Sequence, residues 1–156
     1  MRDAVRPADA AAVAELVAAT GFFSPDERAI AVELVQEALA RGDGSDYRFL
    51  FADAPDGSLA GYTCYGPIPA TAASFDLYWI AVSPGAQRQG LGSALLRESE
   101  SAIRRLGGRR VYIDTSGRAQ YAPTRAFYES AGYRVAADLE DYYAPGDAKI
   151  IFCKAL

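Results

Sequence analysis

The sequence predicts an α/β fold, and three observations carry that prediction. The segment DLYWIAVSPGAQRQGLGSALLRE, residues 76–98, runs a bulky, β-branched strand through a glycine-bearing turn directly into a helix pattern. Strand-like and helix-like stretches alternate along the rest of the chain, with no repeat, low-complexity tract or linker between them. The 156 residues are 51% hydrophobic, enough to build one core, so a single domain spanning 1–156 is expected.

Each element follows from local pattern. Arg2 to Arg6 reads as a short first strand, and Pro7 to Thr20 as a helix with Ala11, Val13, Leu16 and Val17 on or near one face. Ser24-Pro25-Asp26-Glu27 starts a second helix: Ser24 is the N-cap, Pro25 takes N1 and Glu27 at N3 completes a capping box. That helix runs to about Ala40 and ends in Arg41-Gly42-Asp43-Gly44. Tyr47–Ala52 and Leu59–Tyr65 are strands around the turn Pro55-Asp56-Gly57, and the chain then meanders into the strand opened by Asp76. Leu91, Ala94, Leu95, Ala102, Ile103 and Leu106 recur at helical spacing after the glycines, with Glu98 and Glu100 on other faces. Arg109–Thr115 is the next strand, Thr124–Ser130 a short helix, Tyr133–Leu139 a strand and Lys149–Leu156 the last strand.

The strand Leu77–Val82 ends at Ser83-Pro84-Gly85, so Gly90 and Gly92 fall at a helix start. The first turn of a helix has unpaired amides and the positive end of the dipole, and glycine lacks the Cβ that would hold a phosphate away. Three phosphate-binding patterns compete here. A P-loop fails because no lysine follows either glycine. A dinucleotide fingerprint puts Leu95 where a third small residue belongs and leaves residues 83–89 between Val82 and Gly90, although Asp114 stands about 20 residues on as that motif asks. The third pattern is Gln87-x-x-Gly90-x-Gly92 between a strand and an amphipathic helix; it resembles the coenzyme A pyrophosphate motif of the GNAT (Gcn5-related N-acetyltransferase) family. Phe127-Tyr128-Glu129-Ser130-Ala131-Gly132-Tyr133 is similar to that family's later aromatic-Tyr-Glu-x-x-Gly-aromatic segment. The resemblance covers roughly Asp76 to Tyr133, and the order of elements read above is the family's order.

Composition narrows the function independently. A net charge of −4 and a pI near 4.8 argue against a general nucleic-acid binder and favour a cationic partner. The basic run Arg104-Arg105-Leu106-Gly107-Gly108-Arg109-Arg110 reads as a solvated helix C-terminus, where positive charge offsets the dipole. Cys64 and Cys153 lie in apolar strand-like runs without metal-ligand spacing, so reduced core thiols and no metal are expected. No long apolar span or cleavable leader is read, which makes the cytoplasm the expected compartment and a membrane no partner. The chain has no histidine, so proton chemistry falls to carboxylates, tyrosines or water.

The resemblance implies a central mixed, mostly antiparallel twisted sheet flanked by about four helices. It implies an enzyme that moves acetyl from acetyl-CoA to a primary amine of a small molecule by direct attack, with no metal. An acyl-CoA-binding module without turnover and a protein or peptide N-terminal acetyltransferase are the alternatives. By the same resemblance, main-chain amides around Ile80, Ala81 and Val82, on a strand that splays from its neighbour, polarise the acetyl oxygen. Gln87, Arg88, Gln89, Gly90, Leu91, Gly92 and Ser93 take the diphosphate. Tyr128 is the implied general acid, against a packing role, and Phe127 is core. Asp76, eleven residues before Gln87, stands where one branch carries its base and is short enough to work through water, against a role as strand opener. Phe22 and Phe23 wall the acceptor pocket or anchor their loop. Glu140, Asp141, Tyr142 and Tyr143 form an acidic and aromatic loop bordering the acceptor, and Tyr65 and Tyr78 reach it or pack. Tyr121 stands near where many relatives place an asparagine that contacts the coenzyme arm, so this chain departs from the family there. Arg125 reaches a phosphate, meets an acceptor carboxylate or stays on the surface. The tyrosine- and phenylalanine-rich termini suit a homodimer of the strand-mediated kind common in the family.

Overall fold

The computed structural model describes residues 1–156. It has the helices α1 (Asp9–Ala19), α2 (Pro25–Arg41), α3 (Leu91–Arg105) and α4 (Ala122–Ser130). The strands are β1 (Arg48–Asp53), β2 (Leu59–Pro67), β3 (Ser74–Val82), β4 (Arg110–Ser116), β5 (Arg134–Ala144) and β6 (Asp147–Ala155). They form one six-stranded sheet in the order β1-β2-β3-β4-β6-β5. β1–β2, β4–β6 and β5–β6 pair antiparallel and β3–β4 parallel, which gives the expected mixed, mostly antiparallel architecture. The chain divides into two compact units, residues 1–66 with 78–102, and residues 67–77 with 103–156.

In the first unit, Val13, Leu16 and Val17 of α1 and Ala31, Val35 and Ala38 of α2 bury against Phe49, Phe51, Tyr62, Cys64 and Ala81. The capping box of α2 forms as read: the Glu27 amide donates to Ser24 Oγ (3.2 Å) and the Ser24 amide to Glu27 Oε2 (2.7 Å). Ala11 is exposed instead of packed. The expected first strand shrinks to a single bridge between Arg2 and Phe51. The cause lies in Arg2, whose guanidinium holds Asp9 (2.5 Å) and Asp53 (2.9 Å), while the Arg6 amide donates to Asp9 Oδ2 (2.7 Å). These bonds draw the chain from the sheet into the start of α1, and Pro7 has no amide to continue a ladder. On α3, Leu95, Leu96, Ser99, Ala102 and Ile103 are buried, and Thr63 and Ser99 share a hydroxyl hydrogen bond of 2.8 Å. Glu100 is also buried, contrary to the reading above: it lies four residues after Leu96 and three before Ile103, so the buried stripe runs through it. Leu106 is exposed, because the helix has already ended.

In the second unit, β3 and β4 pair from Ser74↔Arg110 to Asp76↔Tyr112. α3 ends in a Schellman motif, with the Gly107 amide bonded to the Arg104 carbonyl (3.0 Å) and the Gly108 amide to that of Ile103 (2.9 Å). Gly107 has φ +84°, and the basic run therefore closes a helix as expected. β5 and β6 are longer than the sequence pattern suggests. Residues 140–143, expected in a loop, belong to β5, because the tight turn Pro145-Gly146 lets the hairpin extend and tyrosines suit a strand. Asp141 takes φ +54° where the register shifts, and its carboxylate accepts the Gly146 amide at 2.7 Å. Cys64 is buried and Cys153 half-buried, both as free thiols.

Candidate active site

The first unit holds the glycine turn. After Val82 the chain makes a short 3-10 turn at Pro84–Ala86, and Gln87 Nε2 donates back to the Val82 carbonyl (3.1 Å) while Gln89 Nε2 donates to the Gly85 carbonyl (2.9 Å). These two amides brace the loop, a role the sequence pattern did not assign them. Arg88 and Gly90 take positive φ, +59° and +82°, and Gln87, Arg88, Gln89 and Gly90 are exposed. The first helical bond of α3 runs from the Ala94 amide to the Gly90 carbonyl at 3.0 Å. The amides of Leu91, Gly92 and Ser93 precede it and have no carbonyl one turn back, which leaves them to an external acceptor. A Cβ on Gly90 would meet nothing within 4 Å, so the space beside this helix start is open. Free amides, the positive end of a 15-residue helix and the exposed Arg88 fit a diphosphate.

Upstream, Ala81 is buried and Ile80 and Val82 half-buried. Gly61 admits the close approach of β3: a Cβ there would lie 3.0 Å from the Ala81 carbonyl oxygen and from Leu95 Cδ1. Phe23 packs edge-on against Trp79 (centroids 4.7 Å) and Phe22 edge-on against Phe23 (5.9 Å), so the α1–α2 loop is anchored through Phe23. Tyr78 stacks edge-on with Tyr47 (5.4 Å), and Tyr65 is buried.

The second unit positions Tyr128 by a helix end. α4 stops at a Schellman motif: Gly132 takes φ +88°, its amide bonds to the Glu129 carbonyl (3.0 Å), and the Tyr133 amide bonds to the Tyr128 carbonyl (3.0 Å). The Tyr133 ring lies 6.0 Å from the Tyr128 ring, the apolar contact that accompanies such a cap. Glycine and the second aromatic of the motif are thus parts of a helix terminus that fixes Tyr128. Its ring is also 5.4 Å from half-buried Phe127 and 5.7 Å from Phe152. Burial pushes the phenol pKa well above its ordinary value, so the group rests protonated near neutrality and can donate.

Tyr121 is buried in the 3-10 turn Ala119–Tyr121 before α4, with the Arg118 guanidinium 5.6 Å over its ring. Arg125 donates to the carbonyls of Ser116 (2.7 Å) and Arg118 (3.0 Å), so it ties the loop after β4 to α4. Ser116 donates its hydroxyl to Asp147 Oδ1 (2.5 Å), and Arg118 pairs with Asp147 Oδ2 (3.0 Å).

Asp76 lies on the other face of these strands from Tyr128. Residues in register point to the same side, so Asp76 shares its face with Tyr112, and, two residues on, with Asp114. Phe152, which touches Tyr128, is in register with Ile113 on the opposite face. Asp76 is half-buried; burial first, then the charge of Asp114, raises its pKa to about 6, and Lys149 pulls the other way. Lys149 Nζ lies 2.5 Å from Asp114 Oδ2 and 4.9 Å from the centre of the Tyr142 ring. Tyr142 and Tyr143 are exposed and edge-on to one another at 5.0 Å. A half-buried carboxylate titrating near 6 can take a proton from an ammonium, directly or through water. Asp114 and Lys149 were not recognised from sequence as part of this site. The available signal was the alternation Val111, Tyr112, Ile113, Asp114, which puts polar groups on the face that Asp76 shares.

Residues 13–133 match the model of the Acetyltransferase (GNAT) family. Over 124 residues the chain is 30% identical to ribosomal protein bS18-alanine N-acetyltransferase of Escherichia coli K12, covering 80% of each protein. A GNAT-family protein of Desulfovibrio desulfuricans is 49% identical in its crystal structure, with a TM-score of 0.96 over 99% of this chain and 96% of that one. An aminoglycoside 6′-N-acetyltransferase solved with coenzyme A is similar in fold alone, at 16% identity and a TM-score of 0.76 over 99% and 97% of the two chains.

Proposed function

Because the chain belongs to the acetyltransferase (GNAT) family and is an acyltransferase, we propose that it carries acetyl from acetyl-CoA to a primary amine of a small molecule, as a single domain over residues 1–156. The observation that carries the acceptor side is Asp76, half-buried and titrating near 6 among charged and aromatic groups. The acceptor arrives as an ammonium, and Asp76 removes its proton so that the nitrogen lone pair can attack the acetyl carbon. No acyl group passes through the protein. As the carbon–sulfur bond breaks, Tyr128, protonated at working pH, gives its proton to the departing thiolate, and the second proton shed by the attacking nitrogen restores the phenol. Main-chain amides at Ile80, Ala81 and Val82 polarise the acetyl oxygen. The amides of Leu91, Gly92 and Ser93, with Gln87, Arg88, Gln89 and Gly90, hold the diphosphate, and Tyr121 borders the pantetheine arm. Phe22, Phe23, Tyr142 and Tyr143 line the acceptor. Acetyl-CoA, when bound, supplies the activated acyl group.

A second reading has its own support. The curated relative is named for acetylating an alanine of a ribosomal protein, so a protein N-terminal amine is the competing acceptor. A homodimer formed through the edge strand β5, whose Val135 and Leu139 are exposed, belongs to the proposal and is tested by sedimentation velocity.

The deciding experiment follows CoA thiol release with acetyl-CoA and two panels, one of di- and polyamines and aminoglycosides, the other of short peptides with free N-termini. Turnover confined to the first panel supports the proposal. Turnover confined to peptides beginning with alanine replaces the small molecule by a protein terminus, and tight acetyl-CoA binding with no release in either panel makes the chain a binding module.

A further inference from the structure

The charged face of β3, β4 and β6 carries groups that acetyl transfer, as described, does not use. Asp76 and Tyr112 are in register, and Asp114 stands two residues farther along β4; a strand spacing near 4.8 Å and a rise near 3.3 Å per residue put the two aspartate Cα atoms about 8 Å apart. Two carboxylates at that spacing on one face repel each other when both are ionised. Across the next strand, Lys149 is in register with Ser116 and therefore diagonal to Asp114 on the same face. Its ammonium closes on Asp114 at 2.5 Å, and the side chain is only 18% exposed. Tyr142 covers that ammonium with its ring. Asp147, the one carboxylate of β6, is engaged by Ser116 and Arg118, so Lys149 is directed to Asp114.

We propose that Lys149 is a positioning residue for the acetyl transfer: held on Asp114 under the Tyr142 ring, it offsets the second carboxylate of this face and keeps Asp76 ionised, able to accept the proton of the incoming amine. The charges reaching Asp76 are Asp114 from β4 and Lys149 from β6. Tyr142 and Tyr143 from β5 act on Lys149 and not on Asp76 directly. Burial disfavours the Lys149 ammonium, but the hydrogen bond and charge of Asp114, with the two tyrosines, hold its pKa above the usual lysine value. Lys149 therefore stays charged through the range in which Asp76 titrates.

The inference rests on Asp76 as the base, and its test separates the two ideas. The Asp76 carboxyl carbon is followed by NMR titration in aspartate-labelled protein, assigned with Asp76→Asn, in wild type, Lys149→Gln, Lys149→Arg and Asp114→Asn. Loss of an opposite charge nearby raises a carboxylate pKa, here by about 1 pH unit in Lys149→Gln. Lys149→Arg restores the wild-type midpoint, and Asp114→Asn, which keeps the cation and removes the anion, lowers it. An unmoved Asp76 midpoint in both Lys149→Gln and Asp114→Asn overturns the proposal, and the second variant decides alone where the first does not fold. The acid limb of kcat/KM, measured with an amine that turns over, then moves with the NMR midpoint. A shifted midpoint with an unshifted rate profile leaves Lys149 in its electrostatic role and removes Asp76 as the base.

Discussion

Replacing Gly90 by glutamate probes the coenzyme site with a loss that can be worked out beforehand. The backbone at Gly90 sits at φ +82°, and a Cβ there touches nothing within 4 Å. Gly90→Ala therefore carries only the penalty of a left-handed L-residue, about 1–2 kcal/mol. For a chain of this size that lowers Tm by roughly 2–4 °C per kcal/mol. Gly90→Glu carries the same backbone penalty but puts a carboxylate beside the free amides of Leu91, Gly92 and Ser93. Against a doubly charged diphosphate about 5 Å away in a well-solvated setting, the repulsion is about 2–3 kcal/mol. Acetyl-CoA should then bind about 30- to 150-fold more weakly to Gly90→Glu than to Gly90→Ala. Added salt should narrow the gap, because the site is exposed. Isothermal titration calorimetry at about 0.1 M salt, where the Debye length is near 10 Å, measures both variants. Equal affinities in the two would mean that the diphosphate does not lie at this helix start, and the assignment of residues 87–93 would fall with it.

Other outcomes follow from the second unit. Asp76→Asn should lower kcat/KM by 10²–10⁴-fold, and in wild type kcat/KM should rise with pH through an apparent pKa near 6 as the base loses its proton; a flat profile from pH 5 to 8 contradicts the assignment. The same carboxyl binds its proton more tightly folded than unfolded, so wild-type stability falls as pH rises from about 4 to about 6 and the deficit persists above that. Asp76→Asn should thus be more stable than wild type by about 1–3 kcal/mol at pH 7.5 and equal to it at pH 4, read by chemical denaturation. Tyr128→Phe keeps the buried ring and should reduce kcat by about 10²-fold with acetyl-CoA affinity unchanged, since only the proton donor is lost. Gly108→Ala would drive a Cβ to 2.3 Å from Ile103 Cγ2 and 2.8 Å from Phe75, so the variant should lose about 2–3 kcal/mol, a shift that thermal unfolding resolves.

Much of this architecture was legible because local chemistry and tertiary packing agree. The capping box at Ser24, the glycine turn before α3 and the glycine stop at Gly107 each specify a terminus through their own hydrogen bonds, and each forms. Failures occur where a distant partner decides. Residues 2–6 have strand character, yet ion pairs of Arg2 with Asp9 and Asp53 leave one bridge. Residues 140–143 look like loop because they are acidic, yet they fall within β5, where the pairs Leu139↔Lys149 and Ala144↔Asp147 on either side carry the hairpin past a register shift. Glu100 is buried by its place in a helical stripe that its own polarity argues against. In the candidate site, Asp76 and Tyr128 were singled out through the resemblance of their surrounding motifs to the family's. Lys149 was not, because its partnership with Asp114 depends on the β4–β6 register, and no local pattern encodes a pairing between residues 35 positions apart.

The Schellman end of α4 also says which end of that helix serves as its ruler. Tyr128 is measured back from Gly132 and Tyr133, through the bond between the Tyr133 amide and the Tyr128 carbonyl. Nothing in that measurement refers to Ala119–Ala122, where the helix begins. Insertions or deletions at the start of α4 would lengthen or shorten it without displacing the tyrosine, whereas one residue added between Tyr128 and Gly132 would rotate the hydroxyl about 100° around the helix axis. The spacing between tyrosine and glycine is therefore the inflexible dimension of this motif, and length variation is free to accumulate on its N-terminal side.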